Sequence, residues 1–341
     1  MKFKYLLGIL LMSVGGFGFL SQPVAAKSQA EPYAYTVKPI LPDNQTDSQA
    51  TFYNLQVQPQ QKQTLKLLIS NIGTKKIVVH VAVNDSYTSD NGIIGYDHAQ
   101  VTPYRPQNPQ LSSLIVGKRT GKVVLSPKAS DIYQFTYQAP AKPIKGLILG
   151  GVTTVATAGS SNAEQLSIQN RIRYVNGIVL RSNHDPVTPQ VTMSKQVTGK
   201  VRTMQKGVGF KLFNSAPINI GSIQLQAHFT LPSGKHKTVK LNNLQMAPSS
   251  TWNAFIPMEK LAAGNYTLKL NFTARNHYSK VFIRHFTISK AQRKHLIREQ
   301  QPKRYNNVWV WIILIGILAL VFVGLYYLLI YLKGRNQKSK R

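Results

Sequence analysis

The sequence predicts an all-β protein: two tandem immunoglobulin-like β-sandwich domains, an N-terminal signal peptide and one C-terminal transmembrane helix. Three observations carry this. Apolar residues between positions 27 and 290 recur with a period of two rather than 3.6, turn signals separate the alternating runs, and the long uninterrupted apolar runs lie at the two ends of the chain.

The first element is the leader. Lys2 and Lys4 precede an apolar run from Tyr5 to Leu20, and Pro23-Val24-Ala25-Ala26 supplies the small residues of a cleavage site. Residues 1–26 therefore read as a signal peptide. The strands follow. Thr64 to Ser70 and Ile132 to Tyr137 are strand candidates, and Ile77, Val79, Val81 and Val83 form an apolar row with His80 on the opposite face. Further on, Ile223, Leu225, Ala227 and Phe229 alternate with polar residues, as do Tyr266, Leu268, Leu270 and Phe272; Val281 to Ile288 is another candidate. Turns are expected at Asn71-Ile72-Gly73, Asn91-Gly92, Ser233-Gly234 and Ala263-Gly264-Asn265. Asn176-Gly177 predicts a two-residue hairpin loop between Ile172–Val175 and Ile178–Leu180. The only helical signal in the body is a weak one just before the terminal apolar run.

The segment His184-Asp185-Pro186-Val187-Thr188-Pro189 holds two prolines that stop strand pairing, which divides the body into residues 27–185 and 186–295. The second part has the size of an immunoglobulin-like sandwich. The first is larger, and its excess is assigned to an insertion from Asn84 to Lys122, rich in Asn, Asp, Pro, Tyr and Gly. Long insertions on a rigid scaffold often carry function.

A basic juxtamembrane linker, 296–307, leads to an uncharged run at 308–332. At about 1.5 Å per residue that run exceeds the roughly 30 Å of bilayer hydrocarbon. Trp309 and Trp311 at one end and Tyr326, Tyr327 and Tyr331 at the other suit the interfaces. Residues 333–341 are a basic tail. Lys and Arg flank the span on both sides, so local charge does not orient it; a cleaved signal places the body outside and the tail in the cytoplasm. The alternative is an uncleaved leader and two spans.

The chain contains no cysteine, which removes thiol catalysis and thiolate metal sites and favours a bacterial surface over a disulfide-rich eukaryotic one. Between Lys27 and Lys290, 30 basic and 10 acidic residues leave a net charge of +20. Such a field attracts polyanions. Export argues against nucleic acid and leaves anionic wall polymers, lipid headgroups and acidic proteins, or simply a solvated basic surface, because the charges are dispersed singly.

Hydrolase, metalloprotease and nucleotide-binding motifs are absent. Asp85, Asp90 and Asp97 lack the order of a calcium loop, and with 11 acidic residues in the chain the paired carboxylates of a glycosidase find little support. No enzyme activity, cofactor or metal is expected. Within the insertion, Asn84, Tyr87, Asn91, Tyr96, Asp97, Tyr104 and Arg105 combine flat aromatic faces with hydrogen-bonding groups, as a glycan or peptide ligand requires. The other reading is that these tyrosines pack the insertion onto its own sandwich. In the second domain, Lys211–Asn214 or Ile223–Phe229 could offer an edge for a partner's strand.

Several stretches resemble the WxL-interacting protein family of Gram-positive bacteria. Val57-Gln58-Pro59-Gln60-Gln61-Lys62-Gln63-Thr64-Leu65 and Gly146-Leu147-Ile148-Leu149-Gly150-Gly151-Val152 are similar to its first domain. Met246-Ala247-Pro248-Ser249-Ser250 and Leu261-Ala262-Ala263-Gly264-Asn265-Tyr266-Thr267-Leu268 are similar to its second. The resemblance implies a membrane-held surface adaptor whose first domain binds peptidoglycan and whose second binds WxL-domain surface proteins, host extracellular ligands, or both. Two other classes stay open: a structural stalk or chaperone-like factor, and a wall-modifying enzyme with an unfamiliar site.

Overall fold

The computed structural model describes residues 34–158, 172–300 and 308–338. The signal peptide expected at 1–26 and most of the 296–307 linker lie outside the described residues.

The first sandwich is built from two sheets. One has the order β1-β3-β9-β7, made of β1 (Tyr35–Ile40), β3 (Lys62–Asn71), β9 (Ser130–Gln138) and β7 (Ile115–Val116). The other has the order β2-β11-β10-β4-β8, made of β2 (Tyr53–Gln56), β11 (Arg173–Arg181), β10 (Ile148–Ala158), β4 (Ile77–Asp85) and β8 (Thr120–Leu125). Pairing is antiparallel throughout except for β2 on β11. Alternation sets the faces. Ile77, Val79, Val81 and Val83 of β4 are buried against Leu65, Leu67 and Ile69 of β3, while His80 points out. Buried hydroxyls in this core are paired: Tyr53 donates to the Lys66 carbonyl at 2.6 Å, and Tyr35 to that of Thr154 at 2.9 Å.

Two expectations change in this sandwich. Asn176-Gly177 is not a hairpin loop; β11 runs straight through it, with Asn176 opposite Val152 and Gly177 opposite Gly151 on β10. The local signal yields because the strand is paired on both sides, by β10 and by β2 in parallel, and buries Asn176, Ile178 and Leu180. The insertion is also shorter than expected. Asn84 and Asp85 still belong to β4, and Thr120 to Lys122 already belong to β8. The excursion is residues 86–119, which holds the β-ribbon β5 (Tyr87–Thr88) with β6 (Ile94–Gly95) and the single-turn helix α1 (Leu111–Leu114).

The second sandwich faces a β12-β13-β16 sheet against a β15-β14-β17-β18 sheet. Its strands are β12 (Val191–Arg202), β13 (Gln205–Asn214), β14 (Ile220–Thr230), β15 (His236–Met246), β16 (Ser250–Pro257), β17 (Gly264–Thr273) and β18 (Ser279–Ile288). The alternating rows at Ile223–Phe229 and Tyr266–Phe272 form its core with Trp252, Phe210 and Leu212. Lys211–Asn214 and Ile223–Phe229 are both interior strands, β13 and β14, so the exposed edges belong to other strands. The two cores do not merge. One ends at Leu180, the other begins at Val191, and the segment with Pro186 and Pro189 between them carries no strand.

After β18 the chain forms α2 (Lys290–Gln300) and then α3 (Val308–Lys338). The 31 residues of α3 span about 46 Å at 1.5 Å each, and none of its apolar stretch Trp311–Leu328 is buried.

Candidate functional site

The excursion 86–119 leaves the first sandwich between the paired strands β4 and β8 and is tied down at its base. Asn84 donates its amide to the Tyr96 carbonyl at 2.9 Å, and the buried Asp85 carboxylate accepts from the Ser112 backbone at 2.8 Å where α1 starts. Tyr96 lies against Gly151 on β10, and burial pushes its phenol up to about 12. Asn84 and Tyr96 thus hold the ribbon on the sheet.

Beyond the base, Tyr87 stacks on His98 with ring centroids 3.9 Å apart and donates to Asp97 at 2.6 Å, while Arg173 of β11 pairs with the other Asp97 oxygen. Desolvation, helped by the Asp97 carboxylate, pushes Tyr87 up to about 12. The Tyr87 hydrogen bond, followed by Arg173, holds the Asp97 carboxyl below its usual value. A carboxylate whose folded pKa is depressed contributes stability above its unfolded pKa of about 3.9 and loses it as pH falls through the folded value. Melting temperatures of the protein and of Asp97→Asn should therefore differ at neutral pH and converge on acidification. Because the pair is about 40% exposed (45% and 41%), the neutral-pH difference should stay within the roughly 0–1 kcal/mol of surface ion pairs.

The tip of the excursion leaves its own domain and docks on the second. The Asp90 carbonyl accepts from Trp252 Nε1 at 3.1 Å and from Arg202 at 2.9 Å, and its carboxylate accepts from Asn253 at 3.2 Å. Gly92, at φ +71°, presses on the Trp252 ring where a Cβ would sit 2.6 Å from it, so no other residue fits that turn. Thr88 and Ser250 hydroxyls share a buried 2.6 Å hydrogen bond, Tyr104 stacks on Phe213 at 4.6 Å, and the Arg105 guanidinium lies over the Tyr104 ring, 5.4 Å from its centroid. Of the seven sequence candidates, Tyr104 and Arg105 lie at this junction and Asn91 is exposed on the tip beside it.

Asn84 and Asp97 instead reach a separate feature, an open groove of about 550 Å³ on the outer face of the first domain. Its floor is Ala82 of β4 with Thr153 and Val155 of β10; its rim is His80, Arg119, Lys122, Arg173 and Asp97. The register explains the gathering: His80 lies opposite Val155 on one side and Lys122 on the other, and Val155 lies opposite Arg173. Asp97 is engaged by Arg173, whereas among the described residues neither Arg119 nor Lys122 pairs with a carboxylate. The groove therefore offers cationic donors above a small, partly apolar floor. His80, Arg119, Lys122, Thr153 and Arg173 were not singled out from sequence. Only His80 reads as outward from its alternation with the Ile77–Val83 row, and it is the strand order that brings these residues together. The three aspartates weighed against a calcium loop turn to separate sets of partners: Asp85 to Ser112, Asp90 to Arg202 and Asn253, Asp97 to Tyr87 and Arg173.

Comparison with known proteins gives two adjacent matches. Residues 35–155 match the model described as WxL Interacting Protein, peptidoglycan binding domain, and residues 163–297 match WxL Interacting Protein, host binding domain. No curated protein sequence matches the chain. Among solved structures, the CupB2 chaperone of Pseudomonas aeruginosa is similar at 13% identity and TM-score 0.29, covering 69% of this chain and 97% of that one. The E. coli chaperone DraB is similar at 12% identity and TM-score 0.28, covering 75% and 98%. The first matched range holds every groove residue except Arg173.

Proposed function

The chain belongs to the WxL Interacting Protein family, and from that premise we propose that it is a membrane-anchored surface adaptor with no catalytic role, binding peptidoglycan through its first domain. The groove between Arg119, Lys122, Arg173 and the Thr153–Val155 floor is the observation that supports this reading most. Peptidoglycan presents sugar hydroxyls, amides and stem-peptide carboxylates. Arg119 and Lys122 suit the carboxylates, and Ala82 and Val155 an apolar methyl. Tyr87 flanks the groove through Asp97, whereas Asn91, Tyr104 and Arg105 set how the two domains meet.

In this reading residues 27–185 hold the wall and residues 186–295 hold a WxL-domain surface protein, a host ligand, or both. Residues 1–26 direct export, α3 crosses the membrane once, and the tail 333–341 lies in the cytoplasm. The test is co-sedimentation of the detergent-solubilised full chain with purified peptidoglycan at low and high salt. At about 1 M salt the Debye length is about 3 Å, so diffuse attraction from the basic surface is screened. Retention at high salt supports a built site. Complete release would leave only general attraction to anionic wall material.

A further inference from the structure

We propose that α2 is a lipid-binding helix whose Lys290, Arg293, Lys294 and Arg298 engage anionic phospholipid headgroups of the bilayer that α3 enters. The proposal rests on α3 being a membrane span and is independent of its orientation.

The docked face of α2 fixes which side is open. Ser289 starts the helix by accepting from the Gln292 backbone at 3.0 Å, and Leu296, 3% exposed, packs into the second domain against Leu261 and Ile288. Residue 199 of β12 is glycine at this contact, where a Cβ would come within 2.8 Å of Leu296. At 100° per residue, Lys290, Lys294 and Arg298 fall on the side of the helix away from Leu296, with Arg293 and Ile297 on the adjoining flank, and all five are exposed. The single acidic residue of the helix, Glu299, sits off this stripe beside His295 at 3.6 Å. Like charges three and four residues apart disfavour an isolated helix, so the stripe calls for an anionic counterpart.

Position says which anion. Seven residues, 301–307, separate α2 from α3 and span at most about 25 Å even fully extended. The tether therefore lets the stripe reach the headgroups, and within about a Debye length of an anionic surface the attraction amounts to roughly a fivefold gain in partition per Lys or Arg. Ile297, 40% exposed amid the charges, supplies an apolar contact for the headgroup boundary.

The chain has no cysteine, so Ile297→Cys gives a single labelling site for an environment-sensitive fluorophore in the full chain. The labelled protein is reconstituted into nanodiscs of phosphatidylcholine alone, or of equimolar phosphatidylcholine and phosphatidylglycerol, with headgroup-region quencher lipids. The expected result is quenching at least threefold stronger in the anionic discs, abolished by Lys290→Glu, Arg293→Glu, Lys294→Glu and Arg298→Glu together with the melting temperature unchanged. Equal quenching in both discs, or quenching that survives charge reversal, overturns the proposal. A label silent in both discs but responsive to a soluble polyphosphate polymer also overturns it and makes a wall polymer the occupant. Failure of the chain to float with either disc refutes the membrane span itself, and this proposal falls with it.

Discussion

Trp252→Ala is expected to lower the melting temperature of the second domain by roughly 12–40 °C and to loosen a loop of the first. Trp252 is 1% exposed and among the largest fully buried side chains of the chain. Truncating such a residue costs about 3–5 kcal/mol, and for a domain near 100 residues each kcal/mol moves the midpoint by about 4–8 °C. The substitution also removes the Nε1 donor to the Asp90 carbonyl and the surface on which Gly92 rests. Calorimetry should show the shift, and hydrogen exchange should show faster opening at residues 88–93. Trp252→Phe, which keeps most of the volume but loses the donor, should give a smaller shift with the same loop signature. A melting temperature within a few degrees of the parent would mean that Trp252 does not join core and junction as described.

Much of the fold was legible because one face of each strand is buried, and burial imposes a period of two. The row Ile77, Val79, Val81, Val83 and the rows at Ile223–Phe229 and Tyr266–Phe272 took the faces their alternation implied. The terminal apolar run was legible for the same reason in reverse, since an uncharged 25-residue stretch has no place in a sandwich this small. Asn176-Gly177 misled because its turn preference is local, whereas the strand through it is fixed by neighbours far apart in sequence, Gly151 and Tyr53 among them.

The candidate site was legible only in part. Asn84 and Asp97 were visible as polar residues in a tyrosine-rich excursion, but the groove they border is floored by β4 and β10 and rimmed from β8 and β11. Arg119, Lys122 and Arg173 look like dispersed surface charge in the sequence; antiparallel pairing makes neighbours of them. The docking of Tyr104 on Phe213 was equally hidden, because a pairing across 109 positions leaves no local trace.

The central claim is that this groove holds the wall. Its most direct measurement is the affinity of the solubilised full chain for a soluble disaccharide-peptide fragment of peptidoglycan, at high salt, for the parent and for Arg119→Ala, Lys122→Ala and Arg173→Ala combined. If each rim contact contributes about 1 kcal/mol, the triple variant should bind about 100-fold more weakly with its melting temperature little changed, while Tyr104→Ala, at the junction, should keep the parental affinity. Parental affinity in the triple variant, or loss in Tyr104→Ala alone, would contradict the account and move the wall site off the groove.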